Sequence, residues 1–159
     1  MATETAPPEL RVLIVDDQID TATSFSYVLQ ILGCKTAVAF GAAMGLRVAQ
    51  LFQPNLIFID LGTPAADGCE TLAAMRALEG PVATAMFVCL TSRNDLADEQ
   101  RCIEAGFHRF VSKPMDAALL PELLAQARAG IAPIKPANSP PPVDPAPPDS
   151  AATADDRYP

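Results

Sequence analysis

Five short strand candidates, apolar in whole or in part, punctuate the chain, at residues 12–15, 36–40, 56–60, 85–90 and 107–111. The third, Leu56-Ile57-Phe58-Ile59, shows no polar alternation, which is the pattern of a strand buried on both faces by covering helices. Between the runs the apolar period changes. Ile19, Ala22, Phe25, Leu29 and Leu32 recur at helical spacing, with Gly33 placed to cap the C-terminus of that first helix. Residues 42–52 read as a second helix closed off by Pro54, and 69–78 as a third that Asp67 caps and Gly80-Pro81 terminates. A fourth, over 95–105, is polar, with Leu96 and Ile103 among its few large apolar contacts and Gly106 at its end. It is expected to be the least firmly packed helix. The fifth, over 116–129, turns Leu119, Leu120, Leu123 and Leu124 inward.

Strict alternation of strand and helix predicts an α/β fold with a five-stranded parallel sheet and helices on both faces, because parallel neighbours require right-handed crossovers. In the order 2-1-3-4-5 the first and third strands are adjacent at the switch point, where open sheets bind ligands.

Composition adds limits to this picture. The 159 residues suit one domain with tails, and half of them are hydrophobic. The 16 prolines are more than one such domain holds, and the surplus collects after Ile131, where PPPVDPAPP occurs. Residues 131–159 therefore read as a Pro-rich disordered tail, residues 1–9, with Pro7-Pro8, as a disordered leader, and 10–130 as the folded domain. A net charge of −8 and no Lys/Arg cluster argue against nucleic-acid binding. No apolar run approaches the roughly 18 residues of a membrane helix, and the N-terminus lacks the pattern of a signal peptide, so a cytoplasmic location without membrane contact is expected. Cys34, Cys69, Cys89 and Cys102 show no ligand spacing and read as small buried hydrophobes of a reducing compartment. His108 has no metal-ligating partner in spacing and is placed at the surface.

The chemistry gathers at the ends of the runs. The first runs into Asp16-Asp17, the third ends in Asp60, the fourth in Thr91-Ser92, and the fifth leads to Ser112-Lys113-Pro114. Singly, each has a bland reading: a helix cap for Asp16, Asp17 or Thr91, a solvated charge for Lys113. Jointly they fall on one rim of the sheet. Three carboxylates that close repel one another unless a cation sits among them, and Mg²⁺ suits such an oxygen set, with the Gly62 carbonyl as a further ligand. Asp60 can then act as a nucleophile toward phosphorus, while Lys113 and the Thr91 hydroxyl hold phosphoryl oxygens.

Taken together, DD at 16 and 17, DLGTPAADG from Asp60, TS at 91 and 92 and FVSKP at 110–114 resemble the receiver domain of two-component response regulators, over roughly residues 10–129. The resemblance implies a flavodoxin-like fold with Asp60 as phosphoacceptor. It also implies Mg²⁺ bound by Asp16, Asp17, Asp60 and the Gly62 carbonyl, Thr91 as switch hydroxyl, Lys113 as phosphate partner and Phe110 as aromatic switch. Phe110 departs from the commoner tyrosine and Thr63 from a commonly apolar slot. Lys113-Pro114 matches a pair often joined by a cis peptide. The implied donor is a phosphohistidine on a sensor histidine kinase or a histidine phosphotransfer protein, and the implied partner surface is the fourth helix, fifth strand and fifth helix of a monomer or weak dimer. With no side chain at Gly62 and a small one at Ser92, a short-lived phosphorylated state is expected.

The expected function is thus a single-domain, chemotaxis-type regulator that catalyses only its own phosphorylation and dephosphorylation and is no turnover enzyme. The alternative is a receiver-like module that binds partners without phosphorylation. A phosphatase of the aspartyl-nucleophile type needs a DxD arrangement, and Gly62 stands two residues after Asp60.

Overall fold

The structure, a computed structural model, describes residues 9–61, 68–91 and 96–130, without the side chains of 96–98. The expected leader and tail, the Asp67 cap, the Leu96 contact and the readings of Gly62, Thr63 and Ser92 lie outside those residues. Five strands alternate with five helices: β1 Arg11–Val15, α1 Ile19–Ile31, β2 Lys35–Ala39, α2 Ala42–Phe52, β3 Leu56–Asp60, α3 Gly68–Arg76, β4 Met86–Thr91, α4 Leu96–Ala105, β5 Arg109–Ser112 and α5 Leu120–Ala129. All four pairings are parallel, which the helical crossovers make possible, and the order is β2-β1-β3-β4-β5.

The two-residue period of the central strands sorts their side chains into two cores. Val12, Ile14, Phe58, Val88 and Leu90 face α1 and α5, against Ala22, Leu29, Leu120, Leu123 and Leu124. Leu13, Val15, Ile57, Ile59, Phe87 and Cys89 face the other way, onto Ala49 of α2, Leu72 and Met75 of α3 and Cys102 of α4. Strands β3 and β4 are buried at every position, which is why they read as unbroken apolar runs. Phe58, fully buried, meets the Phe25 ring edge-on at 4.9 Å between centroids.

Several expectations need correction. Along α1, Ile19 and Leu32 are exposed, while Ser26 is buried, because its hydroxyl meets that of Thr36 on β2 at 2.7 Å. Polar pairing makes burial of a serine tolerable there. A 3-10 turn, Pro81–Thr84, fills the connection from α3 to β4 and buries Val82. The last helix opens with a second 3-10 turn, Ala117–Leu119, capped by the Asp116 carboxylate accepting from the Ala118 N–H. Leu119 is therefore turned outward and is 42% exposed, whereas Leu120, Leu123 and Leu124 point inward. Among the described side chains of α4 the fully buried one is Cys102, and Ile103 is only half-buried. Strand β5 starts at Arg109, since Phe107 is spent on the turn from α4, where it is buried. Gly33 and Gly106 follow α1 and α4 with φ of +91° and +107°, the left-handed region that favours glycine at such ends.

Candidate functional site

Register places the acids. Val15 of β1 pairs with Ile59 of β3, so the next residues, Asp16 and Asp60, leave adjacent strands at the same level. Both continue the even-numbered face that carries Ile14 and Phe58, and both are buried, at 1% and 6% exposure. The backbone of Asp16 is fixed by its N–H donating to the Ala39 carbonyl on β2, 3.0 Å away. Asp60 pairs in register with Leu90, and Leu61 N–H then donates to the Leu90 carbonyl, which keeps β3 and β4 joined up to the rim.

Lys113 arrives from the far edge. Its backbone N–H donates to the Thr91 carbonyl at 2.7 Å, continuing the β4-β5 ladder one step past Ser112, and the peptide to Pro114 is cis. Its ammonium then reaches across β4 to the acids. Nζ donates to Asp16 Oδ2 at 2.7 Å and lies 3.3 Å from Asp60 Oδ2. Burial works against the charged form of this lysine, but the hydrogen bond to Asp16 and the charges of Asp60 and Asp16 outweigh it and raise its pKa above the ordinary lysine value. One ammonium thus ties two buried carboxylates from neighbouring strands.

The remaining acid, Asp17, is exposed, yet oxygen atoms of Asp16, Asp17 and Asp60 lie within 4.8 Å of one another. A set of three carboxylate oxygens is hard and anionic, the chemistry that Mg²⁺ and similar cations take, and with one lysine among three acids the site keeps an excess of negative charge. These residues fit a divalent cation. Asp16 Oδ1 has a structural duty as well. It accepts the Gln18 N–H at 2.9 Å and so holds the turn that starts α1, where neither acid is the capping residue.

Thr91 ends β4 one residue beyond the partner of Asp60, is 2% exposed, and has odd parity, so it starts from the sheet face opposite that of Asp16 and Asp60. Phe110 lies on that same α3-α4 face, half-buried, directly beside Cys89 in the β4-β5 register. Gly62 lies outside the described residues. The structure therefore brings Asp16, Asp17, Asp60 and Lys113 together, puts Thr91 at the same rim, and sets Phe110 lower on the other face.

Two features went unread in the sequence. Beside Lys113 a cavity of about 460 Å³, lined by Ile14, Ala22, Phe25, Leu90 and Met115, opens between α1 and the segment leading to α5. His108 is not a plain surface residue: its Nδ1 accepts the Phe87 N–H at 3.0 Å while its backbone N–H donates to the Phe87 carbonyl at 2.8 Å. No local spacing signals either, because both depend on elements brought together by the sheet.

Comparison with known proteins agrees with this fold. Residues 12–125 match the family described as response regulator receiver domain. The transcriptional regulatory protein PrrA of Mycobacterium tuberculosis is 33% identical over 119 residues, which are 75% of this chain and 48% of that protein. The transcriptional regulatory protein KdpE of the same species is 30% identical over 121 residues, covering 76% of this chain and 50% of that one. The chain thus spans about half the length of the curated relatives it matches. Among solved structures, the CheY-like receiver domain from Methylobacillus flagellatus superposes with a TM-score of 0.67 at 28% identity, over 75% of this chain and 98% of that one. Chemotaxis protein CheY4 of Vibrio cholerae shares the fold, with a TM-score of 0.69 at 24% identity over 75% and 98%. The family match runs from β1 into α5 and takes in the whole sheet; the chain belongs to the response regulator receiver domain family of two-component signalling.

Proposed function

We propose that this chain accepts a phosphoryl group on Asp60 from a phosphohistidine of a sensor histidine kinase or histidine phosphotransfer protein, and binds a downstream protein in consequence. The observation that supports this is the lysine bridge. Lys113 Nζ touches Asp16 at 2.7 Å and Asp60 at 3.3 Å, so a cation already stands where charge on a transferred phosphoryl group would gather. In the reaction an Asp60 carboxylate oxygen attacks phosphorus in line. The new O–P bond forms as the P–N bond to the donor imidazole breaks, and the imidazole leaves with its electron pair and takes up a proton.

Mg²⁺ held by Asp16, Asp17, Asp60 and the Gly62 carbonyl supplies charge neutralisation for the phosphoryl oxygens when bound. Asp16 positions Lys113, and Lys113 pairs with a phosphoryl oxygen once Asp60 is modified. The Thr91 hydroxyl takes another, and Phe110 turns inward behind it as the readout. The α4-β5-α5 face binds the partner. The chain catalyses its own phosphorylation and dephosphorylation only, in the cytoplasm, as a monomer or weak dimer.

In its narrower form this reading is a single-domain, chemotaxis-type regulator acting through protein contacts. A second form is favoured by the curated relatives, which are about twice as long and bear the names transcriptional regulatory protein and DNA-binding response regulator. There the same module governs a nucleic-acid-binding output. In either form Asp60→Asn abolishes acid-labile phosphate uptake from a small phosphodonor with Mg²⁺, and labelling that persisted would place the nucleophile elsewhere.

A further inference from the structure

Cys89 and Cys102 are both fully buried, come from different elements, and stand with their Sγ atoms 3.0 Å apart, the Cys102 thiol donating to Cys89. None of the four cysteines is in a disulfide. A disulfide bond is about 2.0 Å long, so closure asks for an approach of roughly an ångström. We propose that Cys89 and Cys102 are a redox modification site, oxidised by a hydroperoxide to an intramolecular disulfide that ties α4 to strand β4.

Placement gives the bond its consequence. Cys89 is two residues from Thr91 on the same sheet face and is the register partner of Phe110. Cys102 is the described side chain through which α4 is fully anchored in the core; Ile103 and Ala105 beside it are only half-buried. A covalent link here would fix α4 to the strand that carries Thr91, beside the Phe110 ring.

Access follows from the same anchoring. In the closed fold the hydrogen bond from Cys102, together with burial, pushes the Cys89 thiol well above its ordinary range, so the resting Cys89 is protonated and unreactive. Local opening of α4 uncovers both sulfurs at once, since they face each other across its contact with the sheet. The exposed Cys102 loses its proton to solvent and the thiolate attacks a peroxide oxygen. An S–O bond forms, the O–O bond breaks, and the departing oxygen takes up a proton from solvent and leaves as water from hydrogen peroxide or as an alcohol from an alkyl hydroperoxide. The Cys89 thiolate then attacks the sulfenic sulfur, the S–S bond forms and the S–O bond breaks with loss of water. Two thiols are oxidised by two electrons and one hydroperoxide is reduced.

The test uses the unphosphorylated full chain, so its outcome does not depend on Asp60 chemistry. Treatment with hydrogen peroxide should remove two hydrogen atoms per molecule, link the Cys89 and Cys102 peptides on non-reducing mapping, and be reversed by dithiothreitol. Hydrogen exchange at the α4 amides should slow about tenfold in the oxidised form. Cys102→Ala should abolish both effects; mapping of the unaltered chain carries the test if that variant fails to fold. The proposal is overturned if the thiols of the folded chain stay reduced or pass to sulfinic acid. Pairing of Cys69, half-buried and near enough to bear electrostatically on Cys89, would overturn it too, as would unchanged α4 exchange after linkage.

Discussion

His108 carries the one imidazole of the chain, and the fold uses it as an acceptor. Burial and the nearby Arg76 charge hold its pKa below the usual imidazole value, and an Nδ1 that accepts the Phe87 N–H has no room for a proton. A depressed pKa of this kind gives stability that is present above about pH 6.5 and is lost as pH falls through the folded-state value, because the unfolded chain takes up the proton first. The unfolding midpoint of the native chain should therefore drop relative to that of His108→Asn on going from about pH 7.5 to about pH 5. Asn keeps an acceptor without titrating, so a constant gap between the two would contradict the assignment. In the sequence His108 read as a surface residue without a partner. Its partner is a backbone amide 21 positions away, and main-chain groups leave no mark in a residue pattern.

At the scale of elements, α3, α4 and β4 are fastened together where α4 ends. Arg76 of α3 donates to the Gly106 carbonyl and lays its guanidinium over the Phe87 ring, 5.3 Å from the centroid. Gly106, at φ +107°, makes the turn, and a Cβ there would stand 3.2 Å from the Arg76 guanidinium carbon. Gly106→Ala should cost about 1–3 kcal/mol, from left-handed strain with crowding added, and chemical denaturation would show it as a lower midpoint. If the midpoint were unmoved, the turn would not be a constraint on α4. The sequence marked Gly106 as a helix end and marked α4 as lightly packed. It did not reveal that a cysteine is the buried anchor among the described side chains of α4, since a small side chain at one position of a polar helix carries no periodic signal.

For the whole molecule the site is an electrostatic balance between three strand ends. Folding gathers Asp16, Asp17 and Asp60 within a few ångströms and supplies Lys113 as the nearby cation, leaving an excess of negative charge. A divalent ion that binds only the folded arrangement should raise its stability by about 2.7 kcal/mol at a hundredfold excess over Kd. Mg²⁺ should accordingly lift the thermal midpoint of the native chain and leave Asp17→Asn nearly unchanged, as measured by calorimetry. Asp17 is exposed and makes no cap, so its loss should not disturb the fold itself. Equal shifts in both proteins would mean the acids do not form one site.

Strand candidates ending in acids, a hydroxyl and a lysine, the central ones apolar throughout, determined by themselves the α/β class, the parallel sheet and the identity of the rim residues, because burial on both faces and exposure at strand ends are written in residue type. Contacts across the sheet were decided only by tertiary structure. The reach of Lys113 to Asp16 spans 97 positions, and the meeting of Cys102 with Cys89 joins a helix to a strand. Such pairings depend on strand order, register and helix placement, physical quantities that no single stretch of chain contains.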